Sequence, residues 1–268
     1  MPSPLADYLD VATRAARTAG RLLASRAGRP RTVQTKRSAI DLVTEVDRAS
    51  ERMIGDAILR RFPDHGFQGE EQSLRNPEAP YRWIVDPLDG TTNFVHGMPF
   101  FGISIGLVHR DELLVGLVHD PIRRELFTAM RGHGAFLNGT RIHVSRTHTM
   151  ATSLLSTGFS SAFRDHPDAF LEWLRRFESA SHAVRRLGST ALCLAYVASG
   201  RQDGFYERDL SPWDTAGGIL LVREAGGRVT DFHGRSRGLL EPNAQLVASN
   251  GRIHREMLAT IHGAESIQ

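Results

Sequence analysis

A pair of carboxylates at the end of one apolar segment is the strongest chemical signal in the sequence. Trp83–Val85 predicts a buried strand, and Asp86 and Asp89 follow it at once, three residues apart. Pro87 between them fixes a backbone angle, and Gly90 after them lets a ligand approach the main chain closely. Since ligands of α/β proteins bind at strand ends, this turn is a candidate binding site.

The residues after Asp89 predict an anion site. If a helix or turn begins at Gly90, the N–H groups of Gly90 and Thr91 have no partner within that element and can bind phosphate. Two carboxylates beside an anion are compatible only if cations lie between them, and oxygen ligands together with phosphate indicate Mg²⁺. The alternative interpretation is a simple acidic turn, with Asp89 and Gly90 in a type I′ hairpin.

Further acidic residues flank this turn in the sequence. Glu70 lies upstream, Asp47 lies at the predicted start of a helix, and Asp214 follows Pro212 at the start of a late helix. Two unit charges ~5 Å apart repel by about 3 kcal/mol at an effective dielectric constant of roughly 20. Four converging carboxylates without a cation would be costly, although Asp214 on its own is better explained as a helix cap.

Taken together, these segments resemble the motifs of the inositol monophosphatase family. The resemblance is carried, in family order, by DLVTEVD (41–47), GEE (69–71), DPLDGTTNF (86–94), RRLGS (185–189), PWDTAGG (212–218) and EAGG (224–227). It covers nearly the whole chain. It implies a layered αβαβα sandwich formed as a single phosphatase domain over residues 1–268, a homodimer, and Mg²⁺-dependent, Li⁺-inhibited hydrolysis of phosphate monoesters, with inositol monophosphate as the substrate.

The resemblance also implies a set of metal ligands. The first metal would be bound by Glu70, Asp86 and the main-chain carbonyl of Leu88, and the second by Asp86, Asp89 and Asp214. A third, weaker metal is expected near Glu70. The site would therefore hold two or three Mg²⁺ ions.

Catalytic and substrate-binding roles follow from the same resemblance. The catalytic residues would be Asp47, Thr91 and Glu70, and the Asp47–Thr91 pair would orient the attacking water. Lys36 matches a basic family position near the phosphate and the third metal, and is a further candidate. The expected substrate-binding residues are Asp89, Gly90, Thr91, Gly188, Ser189, Thr190, Glu207 and Asp214.

Two positions bear on the choice of substrate. The family usually has Ala where this chain has Thr190, in the expected sugar pocket, and this leaves the exact ester open. Thr92 favours the inositol-phosphate branch, because histidinol-phosphate and bisphosphate-nucleotide branches more often have Lys there. Fructose 1,6-bisphosphate remains the main alternative substrate.

The apolar periodicity predicts the elements that position these residues. A helix is expected over residues 5–23, ended by Gly28 and Pro30, and another begins at Thr44 and ends before Pro63. Up to about residue 146 the pattern is α+β, and from about 147 to 268 it is α/β. The predicted later elements are strands at 83–85, 100–109, 112–119, 124–129, 153–158, 182–186, 203–207, 228–232 and 244–248 and helices at 167–178, 189–199, 212–225 and 251–262.

Composition excludes several function classes. The single cysteine, Cys193, excludes an intrachain disulfide and a multi-cysteine zinc site. Lys36 is the only lysine among 33 basic residues, so there is no Walker-A loop. The net charge is only +3 and the basic residues are scattered along the chain, which argues against nucleic acid as a partner. No apolar run reaches ~20 residues and no secretory signal is visible, so we expect a cytoplasmic protein that does not enter the membrane.

Three other interpretations compete with the phosphatase. Gly102, Ser104 and Gly106 fit the nucleophile elbow of serine hydrolases, but the two flanking isoleucines predict a strand without a following helix. The twelve histidines lack the paired helical spacing of a zinc protease. Some bacterial relatives are partners of the transcription machinery, and such a role would be additional because no expected metal ligand is missing.

Overall fold

The structure, a computed structural model, describes residues 4–29, 32–35, 42–71, 74–159, 163 and 167–265. Lys36 and Asp41 lie outside these described residues. The helices are α1 (Pro4–Arg26), α2 (Glu45–Arg61), α3 (Thr91–Val95), α4 (Pro167–Ala180), α5 (Thr190–Ala198), α6 (Pro212–Glu224) and α7 (His254–Glu265), with a 3-10 turn at Met150–Thr152. No helix in this described part is long and apolar enough to cross a membrane.

The strands form two large sheets and one small hairpin. They are β1 (Val33–Thr35), β2 (Leu42–Thr44), β3 (Gly66–Gly69), β4 (Leu74–Arg75), β5 (Tyr81–Asp89), β6 (Gly102–His109), β7 (Glu112–Asp120), β8 (Glu125–Met130), β9 (Gly134–Leu137), β10 (Thr140–Ile142), β11 (Leu154–Thr157), β12 (Ala183–Arg186), β13 (Gly204–Leu210), β14 (Arg228–Thr230) and β15 (Ala244–Ser249). The eight-stranded sheet has the order β10-β9-β8-β7-β6-β5-β3-β4, and only β3 and β5 pair in parallel. The five-stranded sheet has the order β12-β11-β13-β15-β14, and β11 pairs in parallel with both neighbours.

The helices separate and cover these sheets in layers. Helices α1 and α2 pack on one face of the eight-stranded sheet, and α5 and α6 pack on its other face. The same two helices contact the five-stranded sheet, whose outer face is covered by α4 and α7. Apolar cores fill the three spaces between layers. The order is therefore α, β, α, β, α, and the predicted layered sandwich is confirmed.

Helix α6 lies unusually close to the large sheet because glycines meet at the contact. A Cβ atom on Gly106 of β6 would lie 2.6 Å from the Ala216 side chain, and one on Gly116 of β7 would lie 2.5 Å from the Gly217 carbonyl oxygen. A Cβ atom on Gly217 itself would lie 2.5 Å from the carbonyl oxygen of Leu117. Helix and strands thus approach to backbone contact, which fixes the start of α6 relative to β5.

Most predicted elements occur within a few residues of their expected bounds. Asn138 and Gly139 form the turn between β9 and β10, with both residues in the left-handed region, as is typical of an Asn-Gly pair in a hairpin. The last helix begins at His254, later than residue 251. Strand pairing was not predictable from periodicity, because β13, β14 and β15 are antiparallel neighbours in the half expected to be α/β.

Candidate active site

A β-bulge at the end of β5 brings the two central carboxylates to one face of the sheet. Asp86 lies opposite Ser104 of β6, and Asp89 lies opposite Gly102, so three residues on β5 span two on its neighbour. In a regular strand, residues three apart point to opposite faces, and one extra residue reverses that relation. Pro87 in the bulge has no N–H to donate to the ladder. Because of the bulge, two carboxylates that are three residues apart in the sequence lie on the same face of the sheet.

Helix α2 holds the bulge from the other side. The Ser50 hydroxyl, buried on α2, donates to the Pro87 carbonyl oxygen at 2.9 Å. The Leu88 N–H donates to Oδ1 of Asp86, also at 2.9 Å. One oxygen of Asp86 is thus fixed by the main chain. Its second oxygen makes no hydrogen bond to any residue that the structure describes.

Gly90 turns the chain from β5 into α3. Its φ of 93° lies in the left-handed region, and a Cβ atom there would lie 3.0 Å from the Gly188 carbonyl oxygen and 3.1 Å from that of Phe100. Helix α3 begins at Thr91, so the alternative of a type I′ hairpin at Asp89 and Gly90 is wrong. Within the described residues, the N–H groups of Gly90 and Thr91 have no hydrogen-bond partner.

The side chain of Asp89 extends from the end of β5 to the start of α5. Its Oδ2 accepts the Ser189 hydroxyl at 2.5 Å and the Ala191 N–H at 2.7 Å. Ser189 is the N-cap of α5 and also accepts the Leu192 N–H. N–H groups at a helix start stabilise a negative charge, so α5 orients the Asp89 carboxylate and favours its ionised form.

Asp214 closes the site from α6. Ser211 and Asp214 form a capping box, in which the Ser211 N–H donates to Oδ2 of Asp214 at 2.7 Å. The helix-cap interpretation of Asp214 is therefore correct. It does not exclude a second role, because the other carboxylate oxygen has no hydrogen-bond partner in the described part of the chain.

Asp47 forms a second capping box, at the start of α2. It is fully buried, and its Oδ2 accepts both the N–H and the hydroxyl of Thr44 in a capping box. Its Oδ1 accepts the Thr91 hydroxyl at 3.1 Å, and that hydroxyl also lies 3.1 Å from the Leu88 carbonyl oxygen. The predicted pair of Asp47 and Thr91 is therefore in contact, beside a carbonyl expected to bind metal.

Glu70 reaches the same region from β3. Its N–H donates to the Val85 carbonyl oxygen at 3.2 Å, which continues the parallel pairing of Gly69 with Val85. Glu51 of α2 supports the turn, since its Oε2 accepts the Glu71 N–H at 2.7 Å. Glu70 raises the pKa of Asp86, Asp89 and Asp214 through charge repulsion, so the four carboxylates face one another.

Burial and repulsion together make this cluster hard to ionise. Burial is the main cause that raises the pKa of Asp86 and Asp214 well above its usual range, and neighbouring carboxylates add to it. Burial also raises the pKa of Asp89 to about 6, against the hydrogen bonds from Ser189 and Ala191. A bound cation would remove both penalties.

The donor set fits Mg²⁺ better than a structural metal. All candidate ligands are oxygens, as Mg²⁺ prefers. Among the described residues, no three His, Cys, Asp or Glu side chains are already gathered at metal-binding distance. Mg²⁺ is usually held by one or two carboxylates together with waters and substrate phosphate, so it does not require a preformed cage of protein ligands.

A cavity of about 300 Å³ opens beside Asp89 and is lined by Gly188, Ser189, Thr190 and Glu207. All four of these residues were predicted to bind substrate. The Thr190 hydroxyl donates to Oε2 of Glu207 at 2.9 Å. Burial raises the pKa of Glu207 to about 8, against that hydrogen bond. Near neutral pH, Glu207 therefore readily carries a proton, and in that form it both donates and accepts hydrogen bonds.

Sequence reasoning missed two positioning residues, Asn93 and Ser50. The Asn93 amide donates to the carbonyl oxygens of Phe100 and Leu187 at 2.7 and 2.8 Å, and so ties α3 to the loop before α5. Asn93 lies within the quoted motif, but its partner is 94 residues away. Ser50 carries no signal beyond its place on the buried face of α2.

The structure excludes the serine-hydrolase interpretation. Ser104 lies inside β6 and is fully buried, with no hydrogen-bond partner for its hydroxyl. A nucleophile elbow requires an exposed turn between strand and helix. Cys193 is also buried, and burial raises the pKa of its thiol.

Comparison with known proteins decides the family. The family model described as "Inositol monophosphatase family" matches residues 5–266. The chain belongs to the inositol monophosphatase family. It is 44% identical to the Nus factor SuhB of Pseudomonas aeruginosa, over 94% of this chain and 95% of that protein. Among solved structures, the Thermotoga maritima IMPase matches with a TM-score of 0.90 and 39% identity, covering 97% of this chain and 99% of that one.

A second curated relative carries a different name. The chain is 42% identical to the inositol-1-monophosphatase of Rhizobium meliloti, over 94% of this chain and 95% of that protein. Relatives of this inositol monophosphatase family member are therefore named both for an enzyme activity and as a Nus factor. Identity at this level does not separate the two.

Proposed function

We propose that the protein is a Mg²⁺-dependent phosphomonoesterase that hydrolyses inositol monophosphate to inositol and phosphate. The observation that carries the proposal is the bulge in β5, which turns Asp86 and Asp89 to one face opposite Asp214. Four mutually repelling carboxylates in one place have no evident structural purpose without a cation. Membership of the inositol monophosphatase family supports the phosphatase class.

The proposed metal ligands are the side chains of Glu70, Asp86, Asp89 and Asp214 and the carbonyl of Leu88. When bound there, Mg²⁺ supplies charge neutralisation of the phosphate, a lower pKa for water, and stabilisation of the leaving oxygen. The hydrogen bonds described above hold one oxygen each of Asp86, Asp89 and Asp214. This fixes the orientation of the ligands before any ion arrives, which limits the cost of ordering them.

Thr91 and Asp47 would position the attacking water. If the Thr91 hydroxyl donates its proton to Asp47, its lone pairs are left to accept a hydrogen bond from water. Asp47 is itself held by Thr44, so the direction of the Thr91 O–H bond is set by α2. The result is a water oriented by two residues that carry no metal.

The unpaired N–H groups of Gly90 and Thr91 would bind the phosphate oxygens. On the other side, Glu207 and Thr190 line the cavity and would bind a hydroxyl of the polyol. A buried pair of this kind discriminates strongly between polyols, because a substrate without the matching hydroxyl leaves it unpaired. This geometry supports a polyol phosphate over a simple alkyl ester.

The test is a panel of phosphate esters assayed with Mg²⁺, in the presence and absence of Li⁺ and of EDTA. We expect inositol 1-phosphate to be hydrolysed and EDTA to abolish activity. Asp89→Asn and Asp214→Asn should each remove most activity with the fold retained. Ser104→Ala is the matched control and should leave activity nearly unchanged. Full activity after exhaustive chelation would contradict the metal mechanism.

The polyol side has a separate test. Thr190→Ala and Glu207→Gln should change the ratio of kcat/KM between inositol 1-phosphate and glycerol 2-phosphate by about tenfold or more, because they remove hydroxyl partners and not metal ligands. An equal loss for every ester would assign these residues to the metal site or to the fold. Preference for fructose 1,6-bisphosphate in the same panel would replace inositol monophosphate as substrate.

A second proposed function rests on the names of the relatives. Several are named Nus factor SuhB, which supports an additional role with the transcription machinery. Co-purification of the protein with RNA polymerase, compared with the Asp214→Asn variant, would test whether that role needs the acidic site. A homodimer, Li⁺ sensitivity and a cytoplasmic location remain predictions, to be checked by light scattering, inhibition and cell fractionation.

A further inference from the structure

A second cavity lies on the opposite face of the large sheet from the interlayer helices α5 and α6. It has a volume of about 480 Å³ and is formed where α1 crosses the end of β7 and the start of β8. Its polar lining is Arg17, Arg21, His119, Arg124 and Asn138, and we refer to it as the basic pocket. None of these residues has a part in the proposed phosphatase site.

The arginines of the basic pocket have no carboxylate partner in the described part of the chain. Arg21 donates only to the Thr18 hydroxyl, and neither Arg17 nor Arg124 forms an ion pair there. The two acidic residues near the pocket, Asp120 and Glu125, already form ion pairs with other arginines. Asp120 pairs with Arg123 at 2.8 Å and Glu125 pairs with Arg201 at 2.6 Å, which leaves three positive charges around one cavity.

A buried histidine forms part of the pocket wall. Nδ1 of His119 lies 3.1 Å from the Glu125 carbonyl oxygen, and because a carbonyl only accepts, Nδ1 carries the proton. Nε2 has no hydrogen-bond partner among the described residues. The ring fits only because Gly20 lacks a side chain, since a Cβ atom there would lie 2.6 Å from the ring. The imidazole thus packs against the α1 backbone at Gly20 and forms part of the pocket wall.

The turn that carries Arg124 is fixed in position. Arg124 adopts a φ of 56°, in the left-handed region where glycine or asparagine costs less. Asn138 holds this turn, since its amide donates to the Arg124 carbonyl oxygen at 3.2 Å and its oxygen accepts the Leu126 N–H at 2.9 Å. A positively charged side chain therefore lies at a position where the backbone conformation favours glycine or asparagine.

We propose that the basic pocket binds a small phosphorylated molecule at a site separate from the acidic one. Arginine side chains are the preferred partners of phosphate, with several donors in a fixed fork. The volume far exceeds one phosphate group, and Ala24, Pro121 and Leu126 supply apolar surface for an organic part. A cavity between helix and sheet suits a small ligand better than the extended basic stripe that a nucleic acid needs.

The test is calorimetric titration of the full-length protein with pyrophosphate in EDTA, which removes metal from the acidic site. We expect one site per chain. Arg17→Gln and Arg124→Gln should each weaken binding about tenfold or more, and the double variant should abolish it. Arg255→Gln, an exposed arginine on α7, is the matched control and should bind as the unmodified protein does. Asp89→Asn should retain binding, which separates this site from the phosphatase site.

Each other outcome would overturn the proposal. Absence of binding, or equal binding by the two pocket variants and by the Arg255→Gln control, would show that the arginines do not form a site. Tighter binding of a single-stranded RNA with the same dependence on Arg17 and Arg124 would assign the pocket to nucleic acid. Since all arginine variants should keep phosphatase activity, failure here leaves the proposed function untouched.

Discussion

Thr91 has one hydroxyl proton and two acceptors at the same distance, Asp47 and the Leu88 carbonyl. If the carbonyl binds a cation, the proton goes to Asp47 and the hydroxyl oxygen can orient a water. Thr91→Ala should therefore lower kcat by about 10²-fold or more, the scale of positioned proton-transfer groups, with a small change in KM. Initial rates of phosphate release measure both constants.

Thr91→Ser is the control for this prediction. It keeps the hydroxyl and loses only a methyl group, so its kcat should stay much closer to that of the unmodified protein. Equal losses in the two variants would mean that the methyl contact, and not the hydroxyl, is what the site requires.

At the residue scale, sequence reasoning succeeded where chemistry is concentrated in a short segment. Asp86 and Asp89 were predicted from type and spacing and Asp214 from the family resemblance, and the structure brings them to one site. Sequence reasoning did not identify Ser50, because a serine on a helix has no distinguishing pattern and its hydrogen-bond partner is 37 residues away. Lys36 remains a prediction outside the described residues.

At the element scale, the bulge in β5 depends on its anchor to α2. Ser50→Ala leaves the buried Pro87 carbonyl without its donor, which should cost about 1–3 kcal/mol of unfolding free energy. The same change should weaken Mg²⁺ binding, because the bulge sets the relation of Asp86 to Asp89. Chemical denaturation and Mg²⁺ titration measure the two effects.

Ser179→Ala provides the comparison for that variant. The Ser179 hydroxyl also donates to a main-chain carbonyl, that of Arg175, but on the exposed face of α4. Water can replace this bond, so we expect less than about 0.5 kcal/mol. If the two serines prove equivalent, the bulge is held by other contacts.

A second prediction at this scale concerns the close approach of α6 to the large sheet. Gly217→Ala places a methyl group 2.5 Å from a main-chain oxygen, which cannot move aside without shifting a strand or the helix. We expect destabilisation of about 1–3 kcal/mol or more and a loss of activity through displacement of Asp214. Gly55→Ala in α2 meets only a phenylalanine ring at 3.3 Å and should be tolerated.

Thermal unfolding and phosphatase assays of the two glycine variants decide the matter. A stable and active Gly217→Ala protein would show that α6 can move without harm to the site. The adjacent glycines Gly217 and Gly218 were visible in the sequence as part of the PWDTAGG motif. The need for glycine at Gly217 could not be predicted, because the strand that it contacts lies about 100 residues away in the chain.

The whole molecule should show a pH dependence set by its acidic site. Burial raises the pKa of Asp89 to about 6 and that of Glu207 to about 8, above their unfolded values. Without metal, these two groups therefore bind more protons in the folded protein than in the unfolded chain between about pH 4 and 8. Their contribution to the unfolding free energy should fall as pH rises through that range.

Mg²⁺ should reverse this trend, because it binds the ionised carboxylates and competes with protons. We expect Mg²⁺ to raise the Tm more at pH 8 than at pH 5.5, and Asp214→Asn to flatten the metal-free slope. Glu172→Gln is the control: arginines lower the pKa of Glu172 to about 2, so it titrates outside this window. A Tm independent of Mg²⁺ at pH 8 would contradict the cation site.

The layer order was predictable at this scale only through family resemblance. Periodicity located helices and strands but could not say that α5 and α6 lie between two sheets. Both helices are buried along most of their length, and the sequence indicates this for α5, since TALCLAYVA has no charged residue. The pairing of distant strands depends on contacts that no local pattern records.

The capping boxes of α2 and α6 place Asp47 and Asp214 in the first turns of their helices. Helix ends open and close more readily than helix centres, so these turns are among the elements where amide hydrogens exchange with solvent most easily. In this protein each such opening also dismantles the proposed active site. Occupancy of the site should therefore be recorded, without any assay of catalysis, as slower deuterium uptake at the amino ends of two helices separated by about 165 residues of chain.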